Sequence, residues 1–216
     1  MEMKALVLFS GGIDSTPALG LAIKKYGKEQ VIALSVSYGQ KHDKEIRAAI
    51  AVAEYYGVEH LFLVQQSTEE IPEESYAEQI SKTNGDKPVS TYVPFRNGLF
   101  LSSAASIALS KECGVIYYGA HADDSAGFAY PDCSPVFNQA MNEAIWEGSG
   151  HQLKIEAPFV NVSKVEVVRI GLELGVPYEL TWSCYEGGEK PCGKCGTCID
   201  RAAAFQANHV EDPALR

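Results

Sequence analysis

Residues 4–15 read Lys4-Ala5-Leu6-Val7-Leu8-Phe9-Ser10-Gly11-Gly12-Ile13-Asp14-Ser15. The first six form a near-continuous apolar run, as expected of a strand covered on both faces. Ser10-Gly11-Gly12 is a turn. From Asp14 to Tyr26 the apolar residues recur at helical spacing through Leu19, Ile23 and Tyr26. Two glycines let the backbone approach an anion and leave its N–H groups pointing outward. The helix behind them presents the positive end of its dipole. Ser10 and Ser15 add hydroxyl donors. Asp14 is the odd member, because a carboxylate repels phosphate; it makes sense as a ligand of Mg2+, which then bridges to phosphates. The bland alternative is a plain strand-to-helix turn with Asp14 as its cap. The complete Ser-Gly-Gly-x-Asp-Ser pattern between a strand and a helix favours the phosphate loop.

The alternation continues outward. Residues 31–36 read as a second strand, 45–56 as a helix stopped by Gly57, and 60–64 as a third strand. After an interruption come a helix at 97–112, a strand at 115–119 and a loop through Pro131. A helix at 135–147, a strand at 153–156 and a helix at 163–174 follow. Strands alternating with helices imply an α/β fold with a doubly wound, mainly parallel sheet. That expectation covers residues 1–180, with 181–216 as a small appended segment holding one short helix at about 198–207. The interruption, 66–94, breaks the rhythm. Residues 59–87 hold seven acids against two bases, half of the net charge of the whole chain. A solvated insertion is the expected reading, and a lid the sharper one.

The chain has 216 residues, 46% of them hydrophobic, and a formal net charge of −10. That length suits one domain, or one with a small appendage. The acidic balance argues against a long nucleic-acid grip, which needs a basic face. The longest uncharged stretch, 97–110, is too short for a membrane span. The N-terminus runs straight into a strand without a basic region or cleavage site, so the expected location is cytoplasmic. Thiols stay reduced there. Of six cysteines, Cys113 and Cys133 stand alone and read as small buried residues. The other four, Cys184-x7-Cys192-x2-Cys195-x2-Cys198, have the number and spacing of a closed structural Zn2+ site. Glycines at 187, 188, 193 and 196 supply the turns. The metal would order a tail too poor in apolar residues to fold alone.

The chain lacks G-x-x-x-x-G-K-S/T and G-x-G-x-x-G. Ser10 to Ser15 instead resembles the loop of the ATP pyrophosphatase (PP-loop) family, which cleaves ATP between the α and β phosphates. Pro17, where relatives often carry Thr or a small apolar residue, is tolerated in a first helical turn. Further motifs narrow the match. They are Tyr38-Gly39-Gln40-Lys41-His42, Val93-Pro94-Phe95-Arg96-Asn97, Tyr130-Pro131-Asp132-Cys133, Ser163-Lys164-Val165-Glu166 and Thr181-Trp182-Ser183-Cys184-Tyr185. In this order, with the four cysteines, they resemble the 7-cyano-7-deazaguanine synthase family across essentially the whole chain. The family often has Pro-Gly-Arg-Asn where this chain has Pro94-Phe95-Arg96-Asn97. Ser134-Pro135-Val136 and a slightly longer loop from Gly119 to Tyr130 are further departures.

The resemblance implies a two-stage reaction. ATP adenylates the carboxylate of 7-carboxy-7-deazaguanine and ammonia displaces AMP; a second ATP activates the amide, and loss of AMP leaves the nitrile. It implies ATP contacts along Phe9, Ser10, Gly11, Gly12, Ile13, Asp14, Ser15 and Thr16, with Mg2+ on Asp14. Lys164 and Arg96 are the candidate cations that neutralise the leaving pyrophosphate. For the base, Asp132 and Tyr130 are the expected contacts, with Gln40 and His42 nearby; Asp124 either joins them or binds Mg2+. A glutaminase domain needs more than about a hundred further residues, so free ammonia or a partner's ammonia is expected. A homodimer is expected on resemblance alone. The rivals are a PP-loop enzyme acting on tRNA, which the charge disfavours, and a zinc-stabilised nucleotide sensor without turnover. The same nitrile synthesis serving DNA modification or antibiotic synthesis is a third.

Overall fold

A computed structural model describes residues 3–38, 43–65, 93–126 and 129–215. Five strands form one sheet in the order β3-β2-β1-β4-β5: β1 (Lys4–Leu8), β2 (Val31–Ser37), β3 (Glu59–Val64), β4 (Cys113–Tyr117) and β5 (Lys154–Glu156). All four pairings are parallel. The helices are α1 (Ser15–Tyr26), α2 (Lys44–Tyr56), α3 (Arg96–Ser110), the single turn α4 (Ala122–Ser125), α5 (Pro135–Gly148), α6 (Lys164–Glu173) and α7 (Gly196–Ala207). Each helical and strand reading above has its counterpart within a few residues. The acidic 66–94 interruption lies, up to Tyr92, outside the described residues.

Strand alternation sorts the core into two layers. Leu6, Ile32, Leu34 and Ile116 face one side, where Leu101, Ala104 and Ala108 of α3 and Ile145 of α5 cover them. Ala5, Val7, Ala33 and Val115 face the other, under Leu19 and Ala22 of α1 and Val52 and Ala53 of α2. Burial on both faces is why these strands read as apolar runs without polar alternation. The helix starts were written in the sequence. Ser134 accepts from Phe137 N at 3.1 Å ahead of α5, with Pro135 in the first turn, and Ser163 accepts from Glu166 N at 3.4 Å ahead of α6.

The strand expected at 115–119 sits two residues earlier. Tyr118 retains one bond to Glu156 O at 3.3 Å, and the chain then leaves the ladder. Gly119 lies so close to the phosphate loop that a Cβ there would be 2.9 Å from the Asp14 backbone. The strand therefore ends where its chain must meet the loop after β1. β1 and β4 are neighbours whose connections leave in opposite directions, so their carboxyl ends open the crevice in which such sheets hold ligands.

The C-terminal segment shares a core with the main body. Ala204 and Phe205 of α7 pack with Ile13, Val168, Val176 and Tyr178.

Candidate active site

One cavity of about 1120 Å3 opens at the carboxyl ends of β1, β2 and β4. Its two ends differ in chemistry.

The first end is the loop after β1. Gly11 has φ +74°, and a Cβ there would come 2.3 Å from Ala49 N of α2. Only glycine fits, because α2 packs on the loop from behind. Ser10 and Ser15 face each other across the loop: Ser10 N donates to Ser15 Oγ at 3.2 Å, the two hydroxyls lie 3.1 Å apart, and Gly12 N donates to Ser10 Oγ at 3.3 Å. The hydroxyls thus brace the loop. Among the described residues, the N–H groups of Gly11 and Ile13 take no protein partner. The expectation for Thr16 needs correction: it is 0% exposed, and its hydroxyl donates to Gly12 O at 2.7 Å, so its side chain shapes the loop from inside. Gly11 likewise does not line the cavity, whereas Phe9, Ser10, Gly12, Ile13, Asp14 and Ser15 do.

Asp14 precedes α1, yet its carboxylate makes no capping bond, so it does not serve as the cap of that helix. It points to Lys164, with Oδ2 3.3 Å from Nζ. Lys164 heads α6, and its own backbone N–H is held by Asp123 Oδ2 at 2.8 Å. Between the acids sits a residue that sequence reasoning missed. His121 is 1% exposed, with Nε2 3.2 Å from Asp124 Oδ1 and 3.5 Å from Asp14 Oδ1. Burial pushes the Asp124 carboxyl up; His121 and Lys164 pull it back only in part, and Asp14 opposes them. Burial pulls the Lys164 ammonium down, but Asp14, Asp124 and Asp200 outweigh that and hold it above the ordinary lysine range. Among the described residues, Asp14, Asp124 and Asp200 therefore act on one lysine at an end shaped for phosphate, while Asp123 holds its backbone N–H. Asp14 Oδ1 is buried without a hydrogen-bond partner. An orphan carboxylate oxygen in an acidic pocket is a donor suited to a hard divalent cation.

The second end is aromatic. Arg96, the first residue of α3, donates to Tyr38 OH at 3.3 Å, and its guanidinium carbon stands 5.8 Å from the centre of that ring. Burial pulls its pKa down, while Tyr38, Tyr185, Asp132 and Cys133 more than restore it. Among the described residues, Arg96 makes its contacts at this end and not at the phosphate loop. Asp132 is buried, and its Oδ2 accepts from Asn97 N at 2.8 Å, so this carboxylate caps α3. Burial raises its pKa, while the Asn97 N–H and Arg96 draw it back. Tyr130 and Tyr185 line the same end, as does Cys133, whose Sγ accepts from Asn97 Nδ2 at 3.1 Å. Gln40 and His42 lie outside the described residues.

The four cysteines come together beside the cavity. One ligand atom from each of Cys184, Cys192, Cys195 and Cys198 falls within 4.8 Å of the others. Backbone N–H groups point at the sulfurs: Cys192 N lies 3.3 Å from Cys184 Sγ and Cys195 N 3.3 Å from Cys192 Sγ. Four converging sulfurs wrapped in N–H donors are a set for a tetrahedral, thiophilic metal with no open position.

Strand order, the loop after β1 and the cysteine segment define an α/β protein of the PP-loop, adenine nucleotide alpha-hydrolase-like class. The NMN synthetase of Francisella tularensis has this fold: it superposes with a TM-score of 0.55 over 97% of this chain and 79% of its own, at 16% identity. The chain belongs to the family described as "Queuosine biosynthesis protein QueC", whose model matches residues 4–209. It is 43% identical over 227 residues to the 7-cyano-7-deazaguanine synthase of Archaeoglobus fulgidus, covering 99% of this chain and 90% of that protein. It is 40% identical over 225 residues to that of Pseudoalteromonas atlantica, covering 99% and 98%. No helix among the described residues is long and apolar enough to cross a membrane.

Proposed function

We propose that the chain is an ATP-dependent carbon–nitrogen ligase that converts 7-carboxy-7-deazaguanine and ammonia into 7-cyano-7-deazaguanine, releasing AMP and pyrophosphate. Family membership and the two relatives support the reaction. The structural observation that carries it is one cavity with a phosphate end and an aromatic, arginine-bearing end. An acid and ATP must meet head to head for an adenylate to form, and the two ends supply one seat for each.

In the first stage a carboxylate oxygen attacks the α-phosphorus, pyrophosphate leaves, and ammonia displaces AMP to give the amide. In the second the amide oxygen is adenylated in the same way, and loss of AMP with the two amide protons leaves the nitrile. Loop N–H groups and Lys164 hold the charge that grows on pyrophosphate. Arg96, set among Tyr38, Tyr185 and Asp132, is reassigned from pyrophosphate to the substrate carboxylate, which suits its planar fork. Tyr130 and Tyr185 flank the ring. Asp14 and Asp124 would hold Mg2+, which when bound shields the phosphate oxygens. The four cysteines would hold structural Zn2+. The enzyme acts in the cytoplasm as a homodimer, on ammonia taken free or from a partner protein.

Incubation with ATP, Mg2+, an ammonium salt and 7-carboxy-7-deazaguanine tests the reading. The nitrile is expected by mass spectrometry, with AMP and pyrophosphate. Formation of ADP alone, or no nitrile, overturns it.

A further inference from the structure

The segment Thr181–Cys184 crosses the phosphate loop and is pinned from behind by one arginine. Trp182 N donates to Gly11 O at 3.1 Å, a backbone bond that joins segment and loop. Gly12 lies against the same residue: a Cβ there would stand 3.5 Å from Trp182 O. On either side of Trp182, Arg201 of α7 holds a hydroxyl, Thr181 Oγ1 at 2.8 Å and Ser183 Oγ at 3.2 Å, both from Nη1. Its remaining donors are also placed. Nε and Nη2 bind the two oxygens of Asp212 at 2.6 and 2.8 Å, and Nη2 binds Tyr178 O at 3.1 Å. Thr197 adds a bond from Oγ1 to Ser183 O at 2.6 Å. Arg201, Asp212 and Thr181 are 5%, 6% and 4% exposed.

A buried ion pair is a weak source of net stability, because desolvating two charges offsets most of their attraction; an apolar pair of like volume often folds as well. What apolar side chains lack is direction. A planar guanidinium with all five donors engaged fixes its partners in angle as well as distance. Here the partners flank Trp182, whose N–H reaches the phosphate loop.

We infer that the Arg201–Asp212 pair is a positioning device for the phosphate loop: through Thr181 and Ser183 it sets where Trp182 meets Gly11, and so sets the affinity for the ATP phosphates. This rests on the reading of the loop as the ATP site. Neither residue touches the nucleotide; both act through the segment.

The test is the double variant Arg201→Met/Asp212→Leu of the full, metal-loaded chain, compared with the parent by calorimetric titration with Mg·ATP. The ATP dissociation constant is expected to rise about tenfold, with metal content unchanged and the melting temperature within about 3 °C of the parent. Hydrogen exchange in the peptide 9–16 is expected to quicken while β3 stays as it was. An unchanged ATP affinity in the folded, metal-loaded variant overturns the inference and leaves the pair as a structural lock. Should the parent itself fail to bind ATP, the reading of the loop has failed instead. Ser183→Ala covers the case of a double variant that does not fold, since it deletes one pinned hydroxyl with little change of volume. About threefold weaker ATP binding is expected, and unchanged binding overturns the inference.

Discussion

Nζ of Lys164 stands 3.3 Å from Oδ2 of Asp14, although the two residues belong to the starts of different helices, α6 and α1. Three carboxylates keep that ammonium charged against the pull of burial. Lys164→Met is expected to slow pyrophosphate release by about 10²–10³, the usual scale for losing one electrostatic stabiliser. Asp14→Asn is expected to abolish turnover while circular dichroism stays native. The folded pKa of Lys164 lies above its ordinary 10.5, so its contribution to stability is complete below that pH and is lost as pH rises through the folded value. Melting curves of parent and Lys164→Met should differ at pH 7–9 and converge only in stronger alkali.

His121 stands between Asp14 and Asp124, and removing its ring leaves two half-buried carboxylates facing one another without a spacer. His121→Ala is expected to raise the Mg2+ concentration for half-maximal pyrophosphate release at least about fivefold, with activity partly recovered at high Mg2+. A variant with the parent's Mg2+ dependence would show that the histidine only fills space.

The sheet was legible because its central strands β1, β2 and β4 are largely buried on both faces, and the loop because glycines, serines and an acid follow β1 directly. His121 was not legible. Asp124 was legible as a site acid, but Asp123 beside it looks like a solvated loop residue, and only the fold brings its carboxylate to the start of α6. The available signal was an apolar run, Val115 to Ala120, ending in a histidine with an acid three residues on. Asp132 was legible as a site-lining acid but not as the cap of α3, since Asn97 is 35 residues away in sequence. Arg96 and Lys164 look alike as helix-start cations in sequence; their different neighbours appear only in space.

Phe95 departs from the glycine common in the resembling family, and it adopts φ +56°, a left-handed conformation that costs a side-chain-bearing residue about 1–2 kcal/mol. Its ring folds over Gly98, where a Cβ would stand 2.3 Å from Phe95 Cε1. Phe95→Gly is expected to raise the melting temperature slightly, because a half-exposed ring loses little packing. Gly98→Ala alone is expected to lower it by the clash. The double variant should be more stable than the sum of the two, as the alanine then gains about 1 kcal/mol of helix propensity unopposed. Additive effects would show that the ring does not depend on Gly98.

Converging sulfurs predict one tightly held metal per chain. Cys195→Ser is expected to lower zinc content by elemental analysis, and solubility with it, because α7 and Arg201 are anchored through the same segment. Loss of activity with normal zinc and normal melting would make the cluster catalytic instead.

Glu156 gives a pH signature remote from the cavity. At the end of β5 it binds Lys25 Nζ at 3.0 Å and accepts a short bond from the buried Tyr117 hydroxyl, with Lys154 Nζ 3.4 Å away. Burial pushes its carboxyl up, but Tyr117 and Lys25 outweigh that and hold it below the ordinary glutamate value of 4.5. A carboxylate with a depressed folded pKa contributes stability that is complete above the unfolded pKa and is lost as pH falls through the folded one. Glu156→Gln keeps the shape and removes the charge. The parent should therefore exceed it by about 1.5–3 kcal/mol at pH 7, the range for a hydrogen bond to a charged group. That gap should hold down to about pH 5 and close below the ordinary glutamate value. Denaturant melts of both proteins from pH 7 to pH 3 read it directly, and a gap independent of pH would mean that the glutamate contributes by shape alone.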